Sequence, residues 1–300
     1  MGRGMGRGMD ELTVPDRVDG SNRVGWAVDR LVEFLQGRRA VVLTGAGCST
    51  ESGIPDYRGA GRARRPGTPM LFQEFMGEPQ ARARYWSRSA VGWPRFSRAG
   101  PNAAHHALAR MEEAGAIRGV ITQNVDGLHQ AAGSRRVLDL HGSLARVRCM
   151  GCGSTEARNA VQERLRALNP DLGSLESEAR SAPDGDAQLP AGAWEAFRVP
   201  SCRRCHGVLK PDVVFFGENV PRDRLQRAWA LYEEGDRLLV VGSSLAVFSG
   251  RRFVMRATRE GIPVAILNLG PTRGDEWADL KVEGRVGEVL PQVAHRLGAL

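Results

Sequence analysis

Lysine is nearly missing from this chain: of 42 basic residues among 300, only Lys210 and Lys281 are not arginine. Long apolar runs are missing too. None approaches the length needed to cross a bilayer, and the N-terminus lacks the apolar stretch of a secretory signal. The chain begins Met-Gly, but Gly6 stands where a myristoylation signal requires Ser or Thr. Cysteine is scarce, with Cys48, Cys149, Cys152, Cys202 and Cys205 only. An odd count without a leader argues against a disulfide framework. Together these absences predict a cytoplasmic protein with no membrane partner.

The formal charge of +8 invites a nucleic-acid reading. Arginine in place of lysine, with abundant Ala and Gly, instead reads as GC-rich coding. Net charge speaks to solubility and non-specific attraction, not to reaction, so no specific nucleic-acid partner is expected. Between Arg58 and Arg98 nine arginines are set against only Glu74 and Glu78. That stretch is a solvated basic face, or a surface for an anionic cofactor or acidic partner.

What is present is an alternation. Short apolar runs of strand length occur at Ala40–Leu43, Val120–Thr122, Val137–Leu140, Val213–Phe215, Leu238–Val241 and Val264–Leu267. Helical patterns lie between them at Val24–Leu35, Ala103–Ala114, Arg222–Glu233 and Phe253–Glu260. Continuous apolar strands alternating with helices predict an α/β fold, a doubly wound parallel sheet covered on both faces. Ligands in such sheets bind at the carboxyl ends of the strands. Residues 1–20 read as a disordered tail, with Met1-Gly-Arg-Gly repeated at Met5. The sheet domain takes residues 21–59, 99–145 and 212–300. A helical insertion at 60–98 and a cysteine-bearing stretch at 146–211 form a smaller module beside it.

The first strand runs into Gly45 and Gly47, which let a backbone approach a diphosphate and offer it amides. A dehydrogenase fingerprint needs its third glycine at Thr50, and arginines occupy the region of the expected ribose-binding acid. The loop suits a dinucleotide, but not hydride transfer. Its continuation, Gly45-Ala-Gly-x-Ser-Thr-Glu-Ser-Gly-Ile-Pro-Asp-Tyr-Arg58, resembles the signature of the sirtuins, the family of NAD-dependent protein-lysine deacylases. The resemblance continues through Thr122-Gln-Asn-Val-Asp-Gly-Leu-His129, His141-Gly142, two Cys-x-x-Cys pairs, Val214-Phe-Phe-Gly-Glu218, Gly242-Ser-Ser244 and Asn268-Leu-Gly270. It covers about residues 24–298, and Leu267–Asp275 is most similar to the class II branch.

The resemblance implies roles, residue by residue. His141 is the candidate base that activates a ribose hydroxyl, since neutral imidazole suits that task near pH 7. Gly45, Ala46, Gly47, Ser49, Thr50, Glu51, Asp56, Tyr57 and Arg58 line the NAD site, Arg58 with a guanidinium for phosphate. Gln123, Asn124, Val125 and Asp126 hold the nicotinamide ribose and carboxamide. Gly242, Ser243 and Ser244 take ribose or phosphate. Asn268, Leu269, Gly270 and Val286 face the adenosine side. Cys48 and Tyr57 depart from the commoner aliphatic residue and Phe, and Val286 from a frequent Cys.

Cys149, Cys152, Cys202 and Cys205 have the composition of one closed, structural Zn²⁺ site. A redox dithiol or unpaired thiols are the alternatives. The 49 residues between the pairs exceed a ribbon's spacing, but class II sirtuins carry a similarly long insertion. The implied reaction passes an acyl group from protein lysine to ADP-ribose and releases nicotinamide. Mono-ADP-ribosyl transfer and NAD sensing without turnover stay open as alternatives. Succinyl-preferring relatives place Tyr and Arg three residues apart. Tyr85 and Arg88 have that spacing, while neutral acyl groups, acetyl first, are the general family expectation.

Overall fold

The computed structural model describes residues 20–56, 69–172, 186–187, 189, 192 and 194–299. The N-terminal tail, Tyr57 and Arg58 lie outside the described residues. Helix α1, Gly20–Leu35, buries Ala27, Leu31 and Leu35 along one face. Strand β1, Ala40–Thr44, is buried at all five positions. Helices α2, Phe72–Gly77, α3, Pro79–Phe96, and α4, Ala103–Glu113, precede β2, Ile117–Thr122. A short α5, Leu128–Ala131, leads to β3, Val137–Asp139. Next come β4, Gly142–Cys149, β5, Thr155–Ala157, α6, Arg158–Leu168, and β6, Leu209–Val213. The chain then alternates α7, Arg222–Tyr232, β7, Arg237–Val241, α8, Phe248–Glu260, β8, Val264–Asn268, β9, Leu280–Glu283, and α9, Val286–Arg296.

Six strands form one parallel sheet in the order β3-β2-β1-β7-β8-β9. Successive strand residues point to opposite faces. On β1, Ala40 and Val42 therefore meet α1, α4 and α9, while Val41 and Leu43 meet α7 and α8. The chain builds outward from β1 to β3, then returns to β7 on the other side of β1. This reversal opens a crevice above the β1–β7 junction, where such sheets bind ligands.

A second, antiparallel sheet has the order β5-β4-β6. It shares a third core with α2, α3 and α6, in which Phe75, Tyr85 and Trp86 pack with Val147, Leu165 and Phe215. Two expectations are corrected here. The run Val213–Phe215 is not a strand of the parallel sheet, because its apolar side chains feed the third core and its strand, β6, ends at Val213. Residues 142–143 and 212–213, expected within the large domain, pair with each other in the small sheet. Gly142 allows this with φ 87°, and a Cβ there would lie 1.9 Å from the Asp212 carbonyl. The edge strand β9 was not among the expected strands.

Candidate active site

Two loops leaving the sheet at the switch point touch. The Gly47 amide donates to the Gly242 carbonyl at 2.8 Å, and the Gly45 amide to the Val241 carbonyl at 3.1 Å. A Cβ on Gly45 would lie 2.7 Å from Cβ of Ser243, and one on Gly242, at φ 59°, would lie 2.5 Å from the Cys48 amide. These glycines are required by loop-on-loop packing before any ligand is considered. After Gly45 the chain makes two short 3₁₀ turns, Ala46–Cys48 and Thr50–Ser52, and Thr50 Oγ1 closes the first on the Gly47 carbonyl.

The loop after β2 brings in the next group. Asn124 Nδ2 donates to the Gly45 carbonyl and to Ser49 Oγ, and Ser49 Oγ donates to Asp126 at 2.7 Å. Burial pushes the Asp126 carboxyl above its ordinary range, against the amide of Leu128 and the hydroxyl of Ser49. Gln123 Nε2 donates to Ser243 Oγ at 2.8 Å, joining the β2 loop to the β7 loop. Gln123, Asn124, Asp126, Ser49, Gly45 and Ser243 are thus one hydrogen-bonded set.

His141 follows β3 and sits beside this set. Its Nδ1 donates to the Gln123 carbonyl at 2.9 Å, and its own carbonyl accepts the Val214 amide. Its Nε2 meets Ser249 Oγ at 2.7 Å. Burial pushes the imidazole down to about 4; the Gln123 carbonyl opposes this, and the Arg224 and Arg252 guanidiniums reinforce it. His141 is therefore neutral at pH 7, with a lone pair at Nε2.

Other expected residues make contacts outside this set. Glu51 reaches the Gly287 amide at 3.4 Å at the start of α9, where Val286 is buried in the core. Asn268 turns its amide back onto the Leu269 and Gly270 carbonyls, and Leu269 is exposed. Asp56 is half-buried at the edge of the described loop, and Ser244 is half-buried after Ser243.

The four cysteines of the two pairs converge. Cys149 and Cys205 sulfurs lie 3.4 Å apart, Cys152 and Cys202 sulfurs 3.8 Å, and all four fall within 4.8 Å of one another. Zn–S bonds of about 2.3 Å in a tetrahedron give sulfurs roughly 3.8 Å apart, so the set fits zinc. Backbone amides of Gly151 and Cys152 point at Cys149, and that of Arg204 at Cys202. The Arg204 amide, then the Ser154 hydroxyl, hold the Cys202 thiol below its ordinary value. Cys48, His105 and His129 form another close, buried group. His105 is unsuited to a metal, because Nδ1 accepts the Asn102 amide and Nε2 faces Ser49 Oγ. Burial, then the charges of Asp126 and Glu51, push the Cys48 thiol far up, so it packs as a neutral thiol.

The sequence model of the Sir2 family matches residues 45–249, the span that carries both loops, His141 and all four paired cysteines. The chain belongs to the Sir2 family. It is 56% identical over 262 residues to an NAD-dependent protein deacetylase of Bordetella bronchiseptica, covering 87% of this chain and 94% of the relative. It is 54% identical over 275 residues to NAD-dependent protein deacetylase 1 of Mycobacterium avium, covering 90% and 95%. A solved Sir2 structure with a p53 peptide and NAD⁺ is 32% identical, superposes with a TM-score of 0.70 and covers 90% of this chain and 98% of its own. A Sir2 bound to an acetylated peptide is 31% identical, with a TM-score of 0.68 over 91% and 99% of the two chains.

Within this Sir2 chain, Ser249 was missed by sequence reasoning. The helix there was expected from Phe253, whereas α8 starts at Phe248 and puts Ser249 on its first turn. The signal was position alone, seven residues after Gly242 on the same strand-loop-helix unit. Thr44, Thr122 and His129 form a buried hydrogen-bonded row beneath the loops and were not singled out either.

Proposed function

We propose that this Sir2 chain is an NAD-dependent protein-lysine deacetylase that passes the acyl group to ADP-ribose and releases nicotinamide. The observation that carries this reading is His141. It is a neutral imidazole with its Nδ1 proton committed to Gln123, standing beside the two glycine loops at the sheet's switch point. A pure NAD sensor has no use for such a base.

In this reading the parallel-sheet domain, without the segments 142–143 and 212–213 that pair in the small sheet, binds NAD. The Gly45–Thr50 loop, with Ser243 and Ser244, takes the diphosphate and its ribose. Asn124 and Asp126, braced through Ser49, hold the nicotinamide end. Asn268 and the segment near Val286 serve the adenosine side. Breaking the nicotinamide–ribose bond makes the sugar electron-poor, and a weakly nucleophilic amide oxygen needs close positioning to attack it. His141 Nε2 then takes the proton of a ribose hydroxyl. The acyl-lysine enters beside His141. Exposed Leu71 and Phe216 rim one segment touching His141, and Val247 and Phe248 rim the other. The cysteine set holds one zinc with all four positions filled by protein, so its role is structural. Among the described residues no helix is long and apolar enough to cross a membrane. Reduced thiolates at a metal site suit the cytoplasm, and no specific nucleic acid is required.

The test is product analysis after incubation with NAD and an acetyl-lysine peptide. Free nicotinamide and O-acetyl-ADP-ribose should rise in step with deacetylated peptide. NADH absorbance, or ADP-ribose attached to protein with the peptide still acetylated, would overturn the reading.

A further inference from the structure

Ser249 lies on the first turn of α8 with its Oγ 2.7 Å from Nε2 of His141. The Gln123 carbonyl can only accept, so Nδ1 carries the ring proton and Nε2 is a bare lone pair. The serine hydroxyl therefore donates to Nε2, filling the lone pair through which His141 accepts protons. The approach is built into the helix. A Cβ on Gly250 would lie 2.3 Å from Oε1 of Gln123, so the missing side chain lets this turn close on the Gln123–His141 pair. Gln123 is tied in turn to the Thr44 carbonyl and Ser243 Oγ. The ring is thus held at both nitrogens.

We infer that Ser249 is a positioning residue of the deacetylation reaction: it holds Nε2 of His141 in the free enzyme and yields it to the ribose hydroxyl when both substrates are bound. The inference rests on the deacetylase reading. No covalent bond to Ser249 forms; the hydrogen bond at Nε2 changes partner. A protonated Nε2 would donate to Ser249 Oγ instead, so the hydroxyl holds the ring in either charge state and more strongly when the ring is charged. The charged groups around His141 are Arg224 of α7 and Arg252 of α8, which disfavour the imidazolium. Beyond them lie Asp139 of β3, bonded to Gln130, and Asp212 at the end of β6, paired with Arg146 and Arg224. Replacing Ser249 leaves all of these in place.

Two readouts test this in wild type, Ser249→Ala and Ser249→Thr. The first is ¹⁵N NMR titration of the His141 ring in the free, zinc-loaded protein. Losing the hydroxyl should lower the midpoint by about half a pH unit or more, because the charged ring loses its stronger hydrogen bond, and threonine should restore it. The second is the pH profile of deacetylation. The acid limb of kcat/KM should move to lower pH in the alanine variant, while that of kcat stays, because the ribose hydroxyl has then replaced Ser249. Equal NMR midpoints in wild type and the alanine variant, a threonine variant that behaves like alanine, or equal movement of both kinetic limbs would each overturn the inference. A wild type that deacetylates nothing would fell the functional reading instead, with the NMR titration still deciding whether Ser249 holds the ring.

Discussion

At the residue scale, the chemistry of His141 comes from its neighbours. A free imidazole near neutral pH divides its time between charge states and tautomers. Here burial excludes the charge, and the Gln123 carbonyl selects the tautomer with Nε2 bare. If Nε2 is the base, His141→Ala should still bind NAD by calorimetry but lose about 10²-fold or more in turnover. Near-normal turnover would mean that the proton goes elsewhere. The place of His141 could be read from the sequence, because it follows a strand end within a family motif. The glycines could be read too, though for an incomplete reason: Gly45, Gly47 and Gly242 are needed where two loops cross, whatever ligand lies above them. Ser249 could not be read. A serine carries no periodicity, and its approach to Nε2 depends on the space left by Gly250, which only the folded chain reveals.

At the scale of elements, buried strands announce themselves and edges do not. β1, β7 and β8 are nearly or wholly buried and read as continuous apolar runs. β9 alternates, with Leu280 and Val282 buried and Lys281 and Glu283 turned outward, so a search for continuous apolar runs passes over it. Val213–Phe215 misleads for the opposite reason. It is apolar because the third core needs it, not because the parallel sheet does. Two of the cysteines belong to that third core: Cys149, which ends β4, and Cys202, which precedes β6, are both buried in it. Structural zinc contributes folding free energy directly to such a module. Metal analysis should find one zinc per chain, and Cys149→Ala should lose it together with a lowered thermal midpoint. A metal-free wild type that is folded and fully active would refute the site.

At the scale of the whole molecule, the small module is not a separate bead but a wall of the cleft. Phe215 packs against Tyr85 of α3, with ring centroids 5.0 Å apart, and next to it Val214 bonds the His141 carbonyl. The aromatic cluster of Phe75, Tyr85 and Trp86 therefore backs the segment on which His141 rests. This placement bears on acyl choice, because Tyr85 and Arg88 have the spacing that succinyl-preferring relatives use. Tyr85 is buried in the cluster. Arg88 is not directed freely at solvent: its Nε donates to the Ala187 carbonyl at 3.0 Å, and its guanidinium lies 3.8 Å from the carboxylate of Asp186. A succinyl carboxylate would have to compete with Asp186 for that cation, and a buried anion without its partner is costly. Neutral acyl groups face no such penalty. Acetyl- and octanoyl-lysine versions of one peptide should therefore be processed with kcat/KM at least about tenfold above the succinyl version, a difference of about 1.4 kcal/mol in transition-state binding. Asp186→Ala should narrow that gap by releasing Arg88. A wild type that prefers succinyl-lysine would show that Arg88 leaves Asp186 for the substrate, and the assignment to neutral acyl groups would fall.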